Sequence, residues 1–184
     1  MYRLCRYNST LCVANPNREE FIEWLCGFID SEGNFYIEST NKGRSYRFNF
    51  QITLHIDDIS TLYFINRKLG VGEIRDRGTK AVFTLRVQED IVKIIDILSR
   101  NTLNTKKYLD FSDFQRAFIL YTNSKEKTPE LIKEISQIKS GMNKSRTCFD
   151  MPTEHKYRRT PGWLLGFVEG DGSFFIPGEE KITS

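Results

Sequence analysis

Cysteine and histidine are too few to build a metal module or a disulfide framework. Four cysteines (Cys5, Cys12, Cys26 and Cys148) form no CxxC pair, and only His55 and His155 accompany them. That scatter excludes a zinc finger and a small secreted scaffold, and it fits a reducing compartment. No run of about 18 uncharged apolar residues occurs, so no membrane-spanning helix is expected. The first fifteen residues carry Arg3 and Arg6 and no continuous apolar stretch, which speaks against a secretory signal. A strong excess of one charge is missing too: 27 Lys and Arg face 24 Asp and Glu, a net charge of +3. Global charge therefore does not announce a nucleic-acid partner, and its distribution matters more. What remains is 184 residues, 39% hydrophobic and 28% charged. That suffices for one domain with a real core and excludes wholesale disorder.

The charge is unevenly spread. Residues 17–38 are acidic on balance, residues 42–55 hold Lys42, Arg44 and Arg47 without a carboxylate, and residues 139–159 are again basic. The last run reads either as a solvated loop or as a phosphate-contacting linker.

The chain repeats itself across most of its length. Residues 24–37 read WLCGFIDSEGNFYI and residues 163–176 read WLLGFVEGDGSFFI. Each copy predicts a helix running into a strand. Asn17 and Glu20 form a capping box for the first helix, and Thr160 and Pro161 suit N-cap and N1 of the second. Leu25, Phe28 and Ile29, like Leu164, Phe167 and Val168, form apolar stripes. Gly33 and Gly172 are expected to stop the helices in a left-handed conformation.

Two features exceed what a core helix needs. Gly27 with Ser31, and Gly166 with Gly170, are small residues four apart, so the two helices are expected to pack closely on each other. A mid-helix glycine otherwise costs about 1 kcal/mol. Glu32 and Asp171 place a carboxylate in the last turn of each helix, where the helix dipole disfavours it. Two carboxylates brought together need a cation or a proton between them. A divalent ion such as Mg²⁺ suits hard oxygen ligands.

Between the copies the pattern predicts α-β-β-α-β-β-α and further helices. The strands are 34–40, 46–56, Glu73 to Arg77 and Ala81 to Val87, and the helices 58–69, 88–99, 106–121 and 129–140. Asn41 to Arg44 form the first hairpin turn. Along 46–56, Phe48, Phe50, Ile52 and Leu54 alternate with Arg47, Asn49, Gln51, Thr53 and His55. The resulting antiparallel sheet has one face on helices and one face rich in groups that hydrogen-bond bases and phosphates. His55 reads as one more polar residue of that face rather than a general base.

The segments LCGFIDSEG (25–33) and LLGFVEGDG (164–172) resemble the two motifs of the LAGLIDADG homing endonucleases and group I intron maturases. The likeness extends over most of residues 18–121. It implies an α+β fold, an αββαββα domain whose four-stranded antiparallel sheet lies in the DNA major groove, followed by the first helix and part of a strand of a second repeat. The expected organisation is an N-terminal arm 1–16, repeat 1 over 17–140, a basic linker 141–160 and the start of repeat 2 over 161–184. Only a helix and part of a strand of the second copy precede Ser184. The chain is thus expected to be a fragment of a longer reading frame, a decayed gene, or a form that dimerises. Phe174 and Phe175 would lie on an unpaired strand.

The resemblance also implies roles. Glu32 and Asp171 would bind divalent metal and act in catalysis, with Glu32 standing where the family usually has Asp. Lys106, with Lys107 close behind, would stabilise charge on the phosphate. Groove contacts would come from Asn34, Tyr36, Glu38, Thr40, Lys42, Arg44, Tyr46, Arg47, Asn49, Gln51, Thr53, Arg75 and Arg77. Three functions fit: an intron-encoded endonuclease cutting double-stranded DNA, a maturase binding group I intron RNA, and a non-enzymatic nucleic-acid-binding remnant. Family habit, together with a composition rich in Ile, Lys, Asn and Phe, implies a mitochondrial or plastid setting.

Overall fold

The computed structural model describes residues 17–172; the expected arm and the residues after Gly172, with Phe174 and Phe175, lie outside them. Asn17 caps α1 (Arg18–Glu32) through the reciprocal bonds of a capping box: its side chain accepts from the Glu20 N–H, and the Glu20 carboxylate accepts from its own. The chain then passes directly into β1 (Gly33–Thr40), turns, and returns as β2 (Ser45–His55). Asn41, Lys42 and Gly43 all have positive φ in that turn, which is why a glycine is useful there.

Helix α2 (Ile59–Leu69) ends at Gly70 in a left-handed conformation, φ 69°, and leads to β3 (Glu73–Asp76) and β4 (Lys80–Leu85). Then come α3 (Gln88–Arg100), α4 (Lys107–Asn123), α5 (Pro129–Ser140) and α6 (Pro161–Asp171). The four strands are antiparallel in the order β1-β2-β4-β3.

One face of the sheet carries Phe35, Ile37, Phe48, Phe50, Ile52, Ala81, Phe83 and Leu85 into the core. There they meet Phe111, Phe114 and Phe118 of α4, Leu25 and Ile29 of α1, and the Ile91, Ile94 and Leu98 stripe of α3. Alternation at period two and stripes at period three to four thus close one layered core.

Several expectations need correction. Gly33 and Gly172 are extended, φ −68° and −73°, not left-handed. They are needed because the chain leaves each helix abruptly: a Cβ on Gly33 would stand 2.8 Å from the Ile29 carbonyl oxygen, and one on Gly172 2.3 Å from that of Val168. The apolar stripe of α6 is not buried as a stripe either. Leu164 is 55% exposed, while Gly166 is enclosed, because α6 uses its small-residue face against α1.

The basic segment 141–160 lies against the first repeat. Arg146 forms ion pairs of 2.7 Å with both Asp110 and Asp113, and the Asn143 side chain donates to the Phe35 carbonyl. Arg158 pairs with Glu23 at 3.1 Å and exchanges backbone bonds with the Asn104 side chain. These two arginines are therefore committed within the fold, not offered to a phosphate.

Cys26 sits in the core, and burial pushes its thiol pKa up to about 12, with the nearby Asp30 charge adding to the effect. Since the thiolate is the nucleophile, native protein treated with iodoacetamide at pH 8 is expected to be alkylated at the exposed Cys148 and not at Cys26. Peptide mass mapping checks this, and equal labelling of both would contradict the packing of α1.

Candidate metal and nucleic-acid site

Helices α1 and α6 cross in backbone contact. A Cβ on Gly27 would fall 1.9 Å from the Trp163 carbonyl oxygen, and one on Gly166 would fall 2.0 Å from that of Trp24. A Cβ on Gly170 would meet the Ser31 hydroxyl oxygen at 1.8 Å. All four small residues thus lie at the crossing, and the two motif copies occupy equivalent places.

The same symmetry appears in a bond set that sequence reasoning passed over. The Trp24 indole N–H donates to the Glu169 carboxylate at 2.7 Å, and the Trp163 indole N–H donates to Asp30 at 2.7 Å. Both motif copies carry the Trp and, six residues on, the acid; that recurrence was the available signal. Asp30, only 4% exposed, also accepts from the backbone N–H groups of Asn104 and Thr105 and from the Thr105 hydroxyl. It ties both motif helices to the start of α4, a buried charge kept by full hydrogen bonding.

This crossing sets the two helix ends side by side. Glu32 closes α1 and Asp171 closes α6. Burial raises the Glu32 pKa; the Lys107 ammonium opposes that rise and the Asp171 charge adds to it. The lysine is a correction: Lys107, not Lys106, stands beside the carboxylates. Its Nζ donates to the Ser31 carbonyl at 2.9 Å, and burial lowers its pKa against the raising influence of Asp30 and Glu32. Lys106 instead turns outward over the Phe149 ring, 4.6 Å from its centroid. The helix starts one residue later than the sequence pattern suggests, which rotates its first turn.

The donor chemistry suits a hard divalent cation. Two carboxylates face one locality, and no cluster of three or more His, Cys, Asp or Glu side chains suited to a metal exists among the described residues. A bound divalent ion would take its remaining ligands from water and phosphate oxygens, an arrangement that Mg²⁺ accepts.

From the end of α1 the sheet carries its second face. The register aligns Asn34, Gln51, Thr84 and Glu73 in a row across all four strands, and Thr53, Val82 and Arg75 in the next. Tyr36 pairs with Asn49, Glu38 with Arg47 and Thr40 with Ser45. Lys42 and Arg44 occupy the β1–β2 turn, and Arg77 follows β3. Lys80 shares this face, exposed, and was missed, although it alternates with Ala81, Phe83 and Leu85; Thr84 is on it too but enclosed, 6% exposed.

Tyr46 does not share it. It lies on the helix side, 7% exposed, with its hydroxyl donating to the Ile132 carbonyl; counting by twos from Phe48 puts it there. Asn49 is on the polar face but enclosed, 1% exposed. His55 is exposed, and its Nδ1 accepts from the Asp57 N–H.

Against known proteins, the sequence profile of the LAGLIDADG endonuclease family matches residues 25–118, just over half of the chain. The chain belongs to that family. It is 32% identical over 176 residues to the probable intron-encoded endonuclease Cox1-I1b of Schizosaccharomyces pombe, covering 93% of this chain and 45% of that protein. An uncharacterized mitochondrial protein of Saccharomyces cerevisiae, RF1, is 27% identical over 170 residues, covering 91% and 35%. Among solved structures, the LAGLIDADG homing endonuclease I-GzeII in complex with its DNA target superposes with a TM-score of 0.71 at 28% identity, over 81% of this chain and 58% of that one. The chain thus spans about half or less of the length of these relatives.

Proposed function

We propose that this chain serves in site-specific double-strand cleavage of DNA, as an intron-encoded homing endonuclease using Mg²⁺. The observation that carries the reading is the adjacency of Glu32 and Asp171 at the ends of two helices locked by Gly27 and Gly166.

In this reading Glu32 and Asp171 hold the ion, which when bound supplies an activated water and charge neutralisation at the scissile phosphate. Lys107, held by the Ser31 carbonyl beside Glu32, presents its positive charge to the phosphate as negative charge builds up there. Asp30 works at one remove: by fixing Trp163 and the start of α4 it holds both carboxylates and Lys107 in register.

The polar sheet face lies in the major groove, where Asn34, Gln51 and Arg47 reach base edges and Lys42 and Arg44 reach phosphates. Arg75, held by Glu73 at 2.9 Å in the free protein, exchanges that exposed partner for DNA. Specificity accumulates over many contacts, each mismatch costing about 1–3 kcal/mol. A second sheet, from a second copy of this chain or from further sequence, reads the other half of the site. The working compartment in this reading is the mitochondrion, a setting supported by the likeness to the mitochondrial protein RF1.

Purified protein is mixed with Mg²⁺ and duplex DNA spanning the intronless insertion site of its own gene. Specific double-strand cleavage with short 3′ overhangs, stopped by chelation, is expected. Folded protein that leaves this DNA intact while binding its group I intron RNA would replace this reading with that of a maturase.

A further inference from the structure

A second basic surface lies away from the carboxylates. The β1–β2 turn and helix α5 enclose an open cleft of about 650 Å³, with Lys42 and Arg44 on one wall and Lys127, Lys133 and Lys139 on the other. Ser136 lies between the two α5 lysines, and no carboxylate lines the cleft. Five cations thus gather in one place in a chain whose net charge is only +3.

The α5 lysines stand on the helix's outer side. Lys133, Ser136 and Lys139 follow one another at three-residue spacing along the cleft, and Glu134 turns away to pair with Arg116. Lys127 is anchored: its ammonium donates to the carbonyls of Tyr121 and Ser124 at the end of α4 and lies over the Tyr121 ring. Lys42, Arg44, Lys133 and Lys139 have no ion-pair partner among the described residues. Cations this close repel one another within a Debye length of about 10 Å at 0.1 M salt. An opposing row of negative charges relieves that repulsion, and an open cleft admits a polymer where an enclosed pocket would select a small anion.

We infer that this cleft binds the phosphodiester backbone of duplex DNA, the α5 lysines extending the phosphate contact of Lys42 and Arg44 beyond the polar sheet face. Its place along the molecule supports continuity with a bound duplex. The eight residues of β1 span about 26 Å from Glu32 to the turn, at about 3.3 Å per residue. That is about eight base pairs of DNA, at about 3.4 Å each. This placement, though not the phosphate chemistry, rests on the endonuclease reading.

The test is the salt dependence of binding for wild-type protein and for the double variant Lys133→Gln, Lys139→Gln. Both positions are exposed. The probes are a duplex DNA of about 20 base pairs, long enough to pass the turn, and an RNA hairpin of similar stem length. Each lost phosphate contact removes about 0.9 from the slope of log K against log salt, so the double variant should be shallower by about two. Between about 50 and 200 mM salt its affinity should then fall about tenfold less than that of wild type.

A shallower slope in the DNA arm supports the proposal, and a change confined to the RNA arm would overturn the assignment to duplex DNA. A second variant from the other wall, Lys42→Gln with Arg44→Gln, should flatten the same arm. Unchanged slopes on both polymers, with melting curves matching wild type, would overturn it. Because no cleavage is read, loss of the endonuclease reading would leave this result interpretable.

Discussion

Glu32→Gln and Asp171→Asn are each expected to lower DNA cleavage by on the order of a thousandfold, the rate equivalent of the several kcal/mol that metal charge stabilisation supplies. Neither change alters side-chain length, so each removes a charge and a metal ligand and leaves the packing of the helix ends as it is. Binding to the same DNA should be retained or should tighten, because the variants carry one negative charge less near a phosphate. Gel-shift and cleavage assays on one substrate separate the two effects. Cleavage surviving in either variant would remove that carboxylate from the chemistry. A parallel loss of binding would assign it a structural role instead.

Gly27→Ala and Gly166→Ala should be the most damaging small substitutions in the fold. The added methyl would meet a backbone carbonyl at about 2 Å from either side. A backbone atom cannot rotate away as a side chain can, so the helices must separate. Overpacking costs about 1–3 kcal/mol where neighbours can yield, and here they cannot. The gain in helix propensity of about 1 kcal/mol offsets only part of it. A net loss of about 2–3 kcal/mol lowers the melting temperature by about 4–12 °C in a protein of this size. Separation would also pull Trp24 from Glu169 and Trp163 from Asp30, and should abolish cleavage with the carboxylates still present. Gly141→Ala is the control: its Cβ would meet nothing nearer than 3.6 Å, at negative φ, and calorimetry should find it near neutral.

Much of this was legible in the sequence because it is local or repeated. Two copies of one pattern, each a capped helix with small residues four apart and an acid at its end, imply a symmetric close crossing without any alignment. Phe48 to Leu54, alternating with Arg47 to Thr53, gave the sheet two chemically distinct faces. The misses have physical causes. Tyr46 broke the reading because its polar tip suggested the groove, whereas its register put it in the core with the hydroxyl satisfied by Ile132. Lys107 took the place expected of Lys106 because a one-residue shift in a helix start turns a side chain by about 100°. The bonds of Asp30 to Asn104 and Thr105 come from backbone amides of a loop, which have no sequence signature. Arg146 and Arg158 were counted as loose basic charge, since nothing local says that Asp110, Asp113 and Glu23 will fold against them.

The central claim is that one divalent ion sits between Glu32 and Asp171. Fe²⁺ substituted for Mg²⁺ and treated with ascorbate and peroxide generates radicals that cut the polypeptide near the bound ion. The account predicts two cuts in the folded protein, one near residue 32 and one near residue 171, both suppressed by excess Mg²⁺. Both cuts should vanish together in Asp171→Asn. Cuts at only one of the two positions, or elsewhere in the chain, would contradict it.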